Sequence, residues 1–352
     1  MSNFNKERLY RILSLNRAHG FDGVEHLIRH ELHGYDFTEI YSPESADLAI
    51  ACSTDINSRT LFVAHLDTAE QWDGRLTRPV LLDDNTNTLM SDGEHVLGAD
   101  DGAGIAILLH MIDNGVPGTY LFTHGEEKGG IGAKGVAKHH AGFLCGFDRA
   151  IAFDRRGTGS VITHQAMGRC CSDDFAEALS TALDDASYSM FPDSTGVYTD
   201  TAEFTDVIGE CTNISVGYQS EHSTKETLDM DFIEHLSAKV LTVEWESLPA
   251  ARNPGEVDPE DDYFWGHTKS RTFSRRGAEG FECAEDILST DFAALVAWVK
   301  KADPVTVADL LMDLAETSEG NYDMGYQAAL DYASQGEGSN YMGGTADTWR
   351  DY

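Results

Sequence analysis

The chain has 352 residues, 41% of them hydrophobic and 10% aromatic, enough apolar material for one sizeable core with a modest appendage. Its 60 Asp and Glu against 25 Lys and Arg give a formal charge of -35, which argues against nucleic acid or an anionic membrane surface as a partner and leaves a solvated acidic surface as the plain reading. The opening MSNFNKERLYRILSLNRAHG lacks the apolar stretch of a signal peptide and no later run approaches a membrane span, so a cytoplasmic protein is expected.

The segment Asn5 to Leu32 predicts two short amphipathic helices broken near Gly20, because Leu9, Ile12 and Leu13, then Val24, Leu27 and Ile28, recur at helical spacing. Asp47 to Cys52 and Thr60 to His65 are apolar runs of strand length. Arg78 to Val96, rich in Asp and Asn, reads as a hairpin, and a helix is expected over Gly102 to Asn114. A strand over Thr119 to Thr123, a glycine-rich turn, a helix around Ala133 to His139 and a strand ending at Asp154 follow. A second hairpin (Ser160 to His164), a helix (Asp173 to Asp184), a strand (Thr212 to Val216) and a helix (Asp231 to Ser247) complete the alternation. The fold class is therefore α/β, a mostly parallel central sheet with helices on both faces, over residues 1–250. Residues 251–289 read as a linker-like connection, and 290–352 as a helical C-terminal extension through Asp291 to Lys301, Val305 to Glu316 and Tyr322 to Ser334.

Three predicted strands end in residues that bind metal or exchange protons: LFVAHLD at His65 and Asp67, YLFTHGEE at Glu126 and Glu127, and AIAFD at Asp154. Ligands of open α/β sheets bind beyond the carboxyl ends of the strands, so these side chains should converge. GADDGAGIAILL places Asp100 and Asp101 before a helix, where capping explains one aspartate but not the set. SVGYQSEHSTKET adds His222 in a loop after a strand. Two imidazoles among a majority of carboxylates suit two divalent ions, zinc first, with cobalt or manganese possible.

These residues resemble the dizinc exopeptidases, a family that includes bacterial leucine aminopeptidase, peptidase T and the glutamyl aminopeptidases. AHLDT matches the family's His-x-Asp, LGADDGAG its Asp-Asp-x-x-Gly, THGEEKGGIGAKG its Glu pair, AFD its third-ligand Asp and SEHS its final His. The resemblance implies Asp100 as the carboxylate shared by both metals, with His65 and Asp154 on one, Glu127 and His222 on the other. It implies Asp67 as the carboxylate that orients His65, Glu126 as general base and a cis peptide between Asp100 and Asp101. The activity implied is attack of metal-activated hydroxide on a peptide bond. The interval from His65 to Asp100 is too short for an inserted domain and that from Asp154 to His222 is marginal, which places the chain nearest the leucine-aminopeptidase-like branch without a lid. YTDTAEF resembles the Thr-Asp-Ala segment of the glutamyl aminopeptidases, making Asp200 and Glu203 candidates for a substrate ammonium. Tyr218 is a candidate oxyanion donor, against the plainer reading of a packed strand tyrosine.

The expected substrate is a peptide or amino-acid derivative, with an aminopeptidase as the leading reading. A carboxypeptidase, dipeptidase or N-deacylase using the same centre, and a non-catalytic scaffold on this fold, are the alternatives. Oligomeric state is not readable. His124, His139, His140 and His164 are expected to cap, pack or meet solvent, Arg155 and Arg156 to pair with surface acids as the plainer reading against neutralising a substrate carboxylate, and SRTFSRRG to be a solvated linker. The 6 cysteines read as free thiols, with Cys170 and Cys171 packed in the core.

Overall fold

A computed structural model describes residues 3–20, 23–41, 49–71, 73–166 and 168–254. All belong to one compact unit of the chain. The expected extension at 290–352, SRTFSRRG, and all but the first residues of the connection lie outside the described residues. No helix among the described residues is long and apolar enough to cross a membrane.

The two N-terminal helices form where the apolar spacing places them, α1 at Lys6–Ser14 and α2 at Gly23–Glu31. The Asn5 side chain caps α1 by accepting from the backbone N–H of Arg8 at 3.0 Å. Strands β1 (Phe37–Ile40), β2 (Ala49–Ser53) and β3 (Thr60–His65) come next, then a short hairpin of β4 (Leu81–Asp83) and β5 (Thr88–Met90). They lead to α3 (Ala99–Asp113), β6 (Thr119–Thr123), α4 (Ile131–His139), α5 (Ala141–Leu144) and β7 (Arg149–Arg155). Beyond β7 lie β8 (Ser160–Ile162), β9 (His164–Gln165), β10 (Gly168–Arg169), α6 (Asp173–Leu183) and β11 (Phe191–Asp193). The described part closes with β12 (Glu210–Ser215), β13 (Tyr218–Gln219), β14 (Thr227–Asp229) and α7 (Met230–Lys239).

The main sheet runs β1-β2-β6-β3-β7-β12-β8-β11. Its centre, β6-β3-β7-β12, is parallel, and β2 and β1 extend it antiparallel. Alternation along β3 shows how both faces are covered. Phe62 and Ala64 pack with Leu9 of α1, Ile28 of α2, Leu108 of α3 and Leu236 of α7, whereas Leu61 and Val63 pack with Val136 of α4 and Leu144 of α5. Burying each such Leu or Phe contributes about 1.5–3 kcal/mol, which is why strands this short hold their register. Helix α3 is buried from Ala99 to Ile112, as an all-round apolar helix must be.

Two expectations need correction. The last helix ends at Lys239 rather than reaching Ser247, and a single turn forms at Trp245–Ser247. Trp245 instead turns back, donating its indole N–H to the Val240 carbonyl at 3.0 Å and packing edge-on against Phe62 at 5.0 Å, contacts a continuous helix would forgo. Ser160 to His164 is not a free hairpin either. Strand β8 joins the main sheet, parallel to β11 and bridged to β12 through Val161 and Ile214, because its apolar side chains find the sheet edge.

A second sheet, β13-β14-β5-β4, pairs the hairpin before α3 with the hairpin that carries His222. Strands β11, β13 and β14 were not readable from periodicity, since each is only two or three residues long.

Candidate metal centre and cleft

Register brings the chemistry to one edge. His65 at the end of β3 sits level with Thr123 at the end of β6, while Val63 pairs with Ala152 two residues before Asp154. The crevice beyond these carboxyl ends is where α/β sheets bind ligands. The hairpin between β13 and β14 reaches over the same edge and delivers His222, with Ser220 and His222 both at positive φ.

Asp100 lies at the centre. Its Oδ1 is 2.9 Å from Nε2 of His65 and its Oδ2 is 3.0 Å from Nε2 of His222. His65 Nε2 is also 3.6 Å from Asp154 Oδ1, and His222 Nε2 is 2.9 Å from Glu127 Oε1. Donor atoms of His65, Asp100 and Asp154 lie within 4.8 Å of one another, as do those of Asp100, Glu127 and His222, with Asp100 common to both groups. His65, Glu126 and Glu127 form a third such group.

Adjacent aspartates divide the work at the start of α3. A cis peptide joins Asp100 to Asp101. Asp101 turns away from the cleft and is fully buried, accepting from the backbone N–H of Gly104 at 3.1 Å and of His65 at 3.1 Å. It thus caps the helical turn that starts past the kink at Asp100 and Asp101, and braces the His65 backbone. A Cβ on Gly104 would collide with the Asp101 carboxylate and the Phe153 carbonyl, so only glycine admits this approach.

The Asp67 carboxylate has a different partner from the one its spacing suggests. The Asp67 main-chain carbonyl is 3.0 Å from His65 Nδ1, whereas its carboxylate stands 3.7 Å from that nitrogen. Asp67 Oδ1 instead accepts from the backbone N–H of Glu126 at 3.0 Å. The main-chain carbonyl reaches His65 in the turn after β3, which frees the carboxylate to hold the neighbouring loop.

Asp154 is held from several sides. Asn213 of β12 donates to the Asp154 carbonyl at 2.7 Å and accepts from its N–H at 2.8 Å. Thr199 donates to Asp154 Oδ2 at 2.5 Å, and the Tyr218 hydroxyl lies 3.1 Å from Oδ1. Tyr218 is buried and also lines the cleft, so it meets the ligand set rather than merely packing in a strand.

Beneath the centre lie two groups that no motif marks. Arg17, fully buried, donates to the carbonyls of Leu66, Gly98 and Asp100. Glu226, also buried, accepts from the N–H of Gly98 at 2.8 Å and of Asp100 at 2.9 Å. Together they clamp the turn that presents Asp100. Arg17 lies three residues past the end of α1 and Glu226 immediately before β14, positions that carry no sequence signal of their role.

Electrostatics show a surplus of negative charge. Burial, aided by Asp154, Asp200 and Asp100, pushes the Glu126 carboxyl up to about 9. Burial and Asp100 raise Asp154 to about 6, burial raises Asp200 to about 7 against the Thr123 hydrogen bond, and burial raises Glu226 to about 7. Asp101 is held well above the ordinary range by burial and Asp154. Burial draws His65 down, but Asp154, Asp100 and Asp67 override it and hold it well above its usual value; Asp100 and Glu127 raise His222 to about 11. So many acids forced toward their neutral form, around imidazoles forced toward their charged form, make a cradle that divalent cations fit. The donor set, imidazole and carboxylate with one carboxylate common to two groups, fits a pair of them.

The cleft beside this centre has a volume of about 300 Å³ and is bounded in part by Asp100, Glu126, Asp154, Tyr218 and His222. Asp200 and Glu203 are not among its lining residues. Asp200 is buried, accepts from the Thr123 hydroxyl and keeps Oδ1 without a hydrogen bond, while Glu203 is half-buried on the same short turn, Asp200–Phe204. Arg155 and Arg156 pair with acids as expected, Arg156 with Glu221 at 3.0 Å and Arg155 with Asp193 at 3.7 Å, and both also line the cleft. Strand β7 ends at Arg155 in the crevice and brings both with it. His124 faces Glu25 at 3.0 Å, His140 the Tyr41 carbonyl at 2.6 Å, and His164 the Thr163 hydroxyl at 2.8 Å. Cys170 and Cys171 are buried free thiols directed at the Ile162 carbonyl.

No protein-family model and no curated protein sequence matches the chain. Among solved structures the fold is similar to that of the aminopeptidase PepT from Bacillus cereus, at 14% identity and a TM-score of 0.56, over 68% of this chain and 98% of that one. A tripeptidase from Staphylococcus aureus aligns at 15% identity and a TM-score of 0.55, over 68% of this chain and 98% of the other. The TET aminopeptidase from a marine-sediment Thaumarchaeota archaeon aligns at 13% identity and a TM-score of 0.53, over 69% and 96%. Identities this low establish the fold, and the site must argue the rest.

Proposed function

We propose that this chain is a metal-dependent exopeptidase, with an aminopeptidase as the preferred reading. The observation that carries it is Asp100, whose two carboxylate oxygens stand 2.9 and 3.0 Å from the imidazoles of two separate donor groups. Such a carboxylate is suited to bridging two ions. His65 and Asp154 would complete one position, Glu127 and His222 the other, with zinc favoured by the donors and cobalt or manganese compatible. The ions would supply Lewis-acid polarisation of the scissile carbonyl and acidify a water.

The chain's own residues do the rest. Glu126 borders the cleft beside the donors, with its backbone pinned by Asp67. It is placed to take a proton from the attacking water and return it to the leaving amine. Asp67, Asp101, Asn213 and Thr199 hold the donors in place. Tyr218, with its hydroxyl on Asp154, lies where it can also donate to a developing oxyanion. Solved structures of this fold described as aminopeptidases support the preference for the amino terminus. The candidate ammonium residues Asp200 and Glu203 are not among those that line the cleft.

Assay of the zinc- or cobalt-loaded protein with aminoacyl anilides and with N-blocked peptides tests this reading. Turnover of the anilides is expected. Turnover of the blocked series alone would replace the aminopeptidase by a carboxypeptidase or deacylase on the same centre.

A further inference from the structure

The cleft mixes charges in a way that hydrolysis alone does not require. Its lining includes the carboxylates Asp100, Glu126, Asp154 and Glu221, yet two consecutive arginines, Arg155 and Arg156, join it. In a chain of 25 Lys and Arg against 60 Asp and Glu, such a pair in a catalytic cleft calls for a ligand. Arg155 donates through Nη2 to the Thr195 carbonyl at 3.3 Å and hydroxyl at 3.0 Å, with Asp193 at 3.7 Å, which fixes its guanidinium against the loop that follows β11. Its Nε is buried without a hydrogen bond. Arg156 pairs through Nη1 with Glu221 at 3.0 Å and leaves its side chain 57% exposed, so the remaining donors of its fork are open to the cleft.

We propose that Arg155 and Arg156 form a subsite for a substrate carboxylate, so that the enzyme prefers short peptides whose free C-terminus reaches it. This rests on the exopeptidase reading above. Guanidinium recognises carboxylate through paired hydrogen bonds, and one arginine anchored by Thr195 with a second held by a single acid is a preorganised receptor. A cleft of about 300 Å³ admits a ligand of a few residues. The donor centre would hold the scissile bond at one end and the arginines the carboxylate at the other. An acidic side chain near the leaving group presents the same chemistry.

Calorimetric titration of zinc-loaded Glu126→Gln, which binds peptide without turning it over, separates these sources. Its ligands are Leu-Gly-Gly, Leu-Gly-Gly-amide and Leu-Glu-Gly-amide. The free acid should bind at least about tenfold more tightly than its amide, the strength of one charge-assisted pair. Recovery of affinity by Leu-Glu-Gly-amide would assign the carboxylate to a side chain, and no recovery to the C-terminus. Adding Arg155→Met and Arg156→Met should bring the acid-to-amide ratio toward one; if that protein fails to fold, Arg156→Met alone, at an exposed side chain, must still reduce it. Equal affinity for all three ligands, or binding of none, overturns the subsite. Hydrolysis of leucine p-nitroanilide by the unmutated protein, which needs no carboxylate, reports separately on the exopeptidase reading. Loss of that activity with acid preference intact would remove the reading and leave the subsite.

Discussion

Asp67 Oδ1 accepts the backbone N–H of Glu126 at 3.0 Å, tying the turn after β3 to the turn after β6. The bond reaches the main chain of the proposed base rather than its side chain, so it sets where the carboxylate stands without neutralising it. Asp67→Ala should therefore lower kcat by about 10–100-fold, the usual cost of losing a residue that orients a site. Metal content by elemental analysis should stay near that of the unmutated protein; loss of metal in proportion to activity would place Asp67 with the ligands instead.

Glu126→Gln keeps size and hydrogen bonding but cannot carry the proton. Hydrolysis should fall by about 10²–10⁴-fold with two ions per chain retained, since proton transfer by a positioned side chain contributes that much. Activity within a few-fold of the unmutated enzyme would remove Glu126 from the mechanism.

Tyr218→Phe separates two roles for one hydroxyl. Its contact with Asp154 Oδ1 at 3.1 Å predicts weaker metal binding, by about 10-fold, when the donor is lost. A tyrosine acting only on the oxyanion would lower kcat at saturating zinc and leave the metal titration untouched.

Arg17→Met leaves the Leu66 carbonyl without its side-chain donor, takes one of two donors from the Gly98 carbonyl and removes the cation beside Asp101, Glu226 and Asp100. Breaking such a buried arrangement costs about 3–5 kcal/mol. Urea unfolding of the chelator-treated variant should show that loss in the midpoint, and an unchanged midpoint would mean the guanidinium contributes nothing net.

Stability of the chelator-treated protein should fall as pH rises from about 4 to about 7. Burial raises both Asp200 and Glu226 to about 7, above their unfolded values. A carboxyl raised in the folded state contributes stability that is fully present below its unfolded pKa and lost as pH climbs through the folded one. Saturating zinc should restore stability at pH 7, by about 2.7 kcal/mol at one hundred times its dissociation constant. Melting temperatures at pH 5, 6 and 7, with chelator and with zinc, measure both effects. A flat profile with chelator would show that these acids find compensation elsewhere.

The amino-acid sequence by itself determined the central strands and the donor residues they carry. β3 and β6 fall on the apolar runs that predict them, and His65, Glu126, Glu127 and Asp154 stand at or just past strand ends where stability offers them no reason to be. Periodicity and chemical type are local, so these were legible. Asp100 and Asp101 were legible as a pair, with Asp100 the shared ligand that the family resemblance implies, but the hold of Asp101 on the Gly104 amide and the His65 backbone was not. The tertiary structure alone decided the partners. Arg17 and Glu226 reach the turn before α3 from distant segments, Asp67 holds Glu126 instead of orienting His65 through its carboxylate, Asp200 stays out of the cleft lining and Arg155 and Arg156 join it. Each of these turns on which buried polar group another can satisfy across the fold. One-dimensional spacing carries no record of that, because the penalty for an unsatisfied group is settled only when the chain has packed.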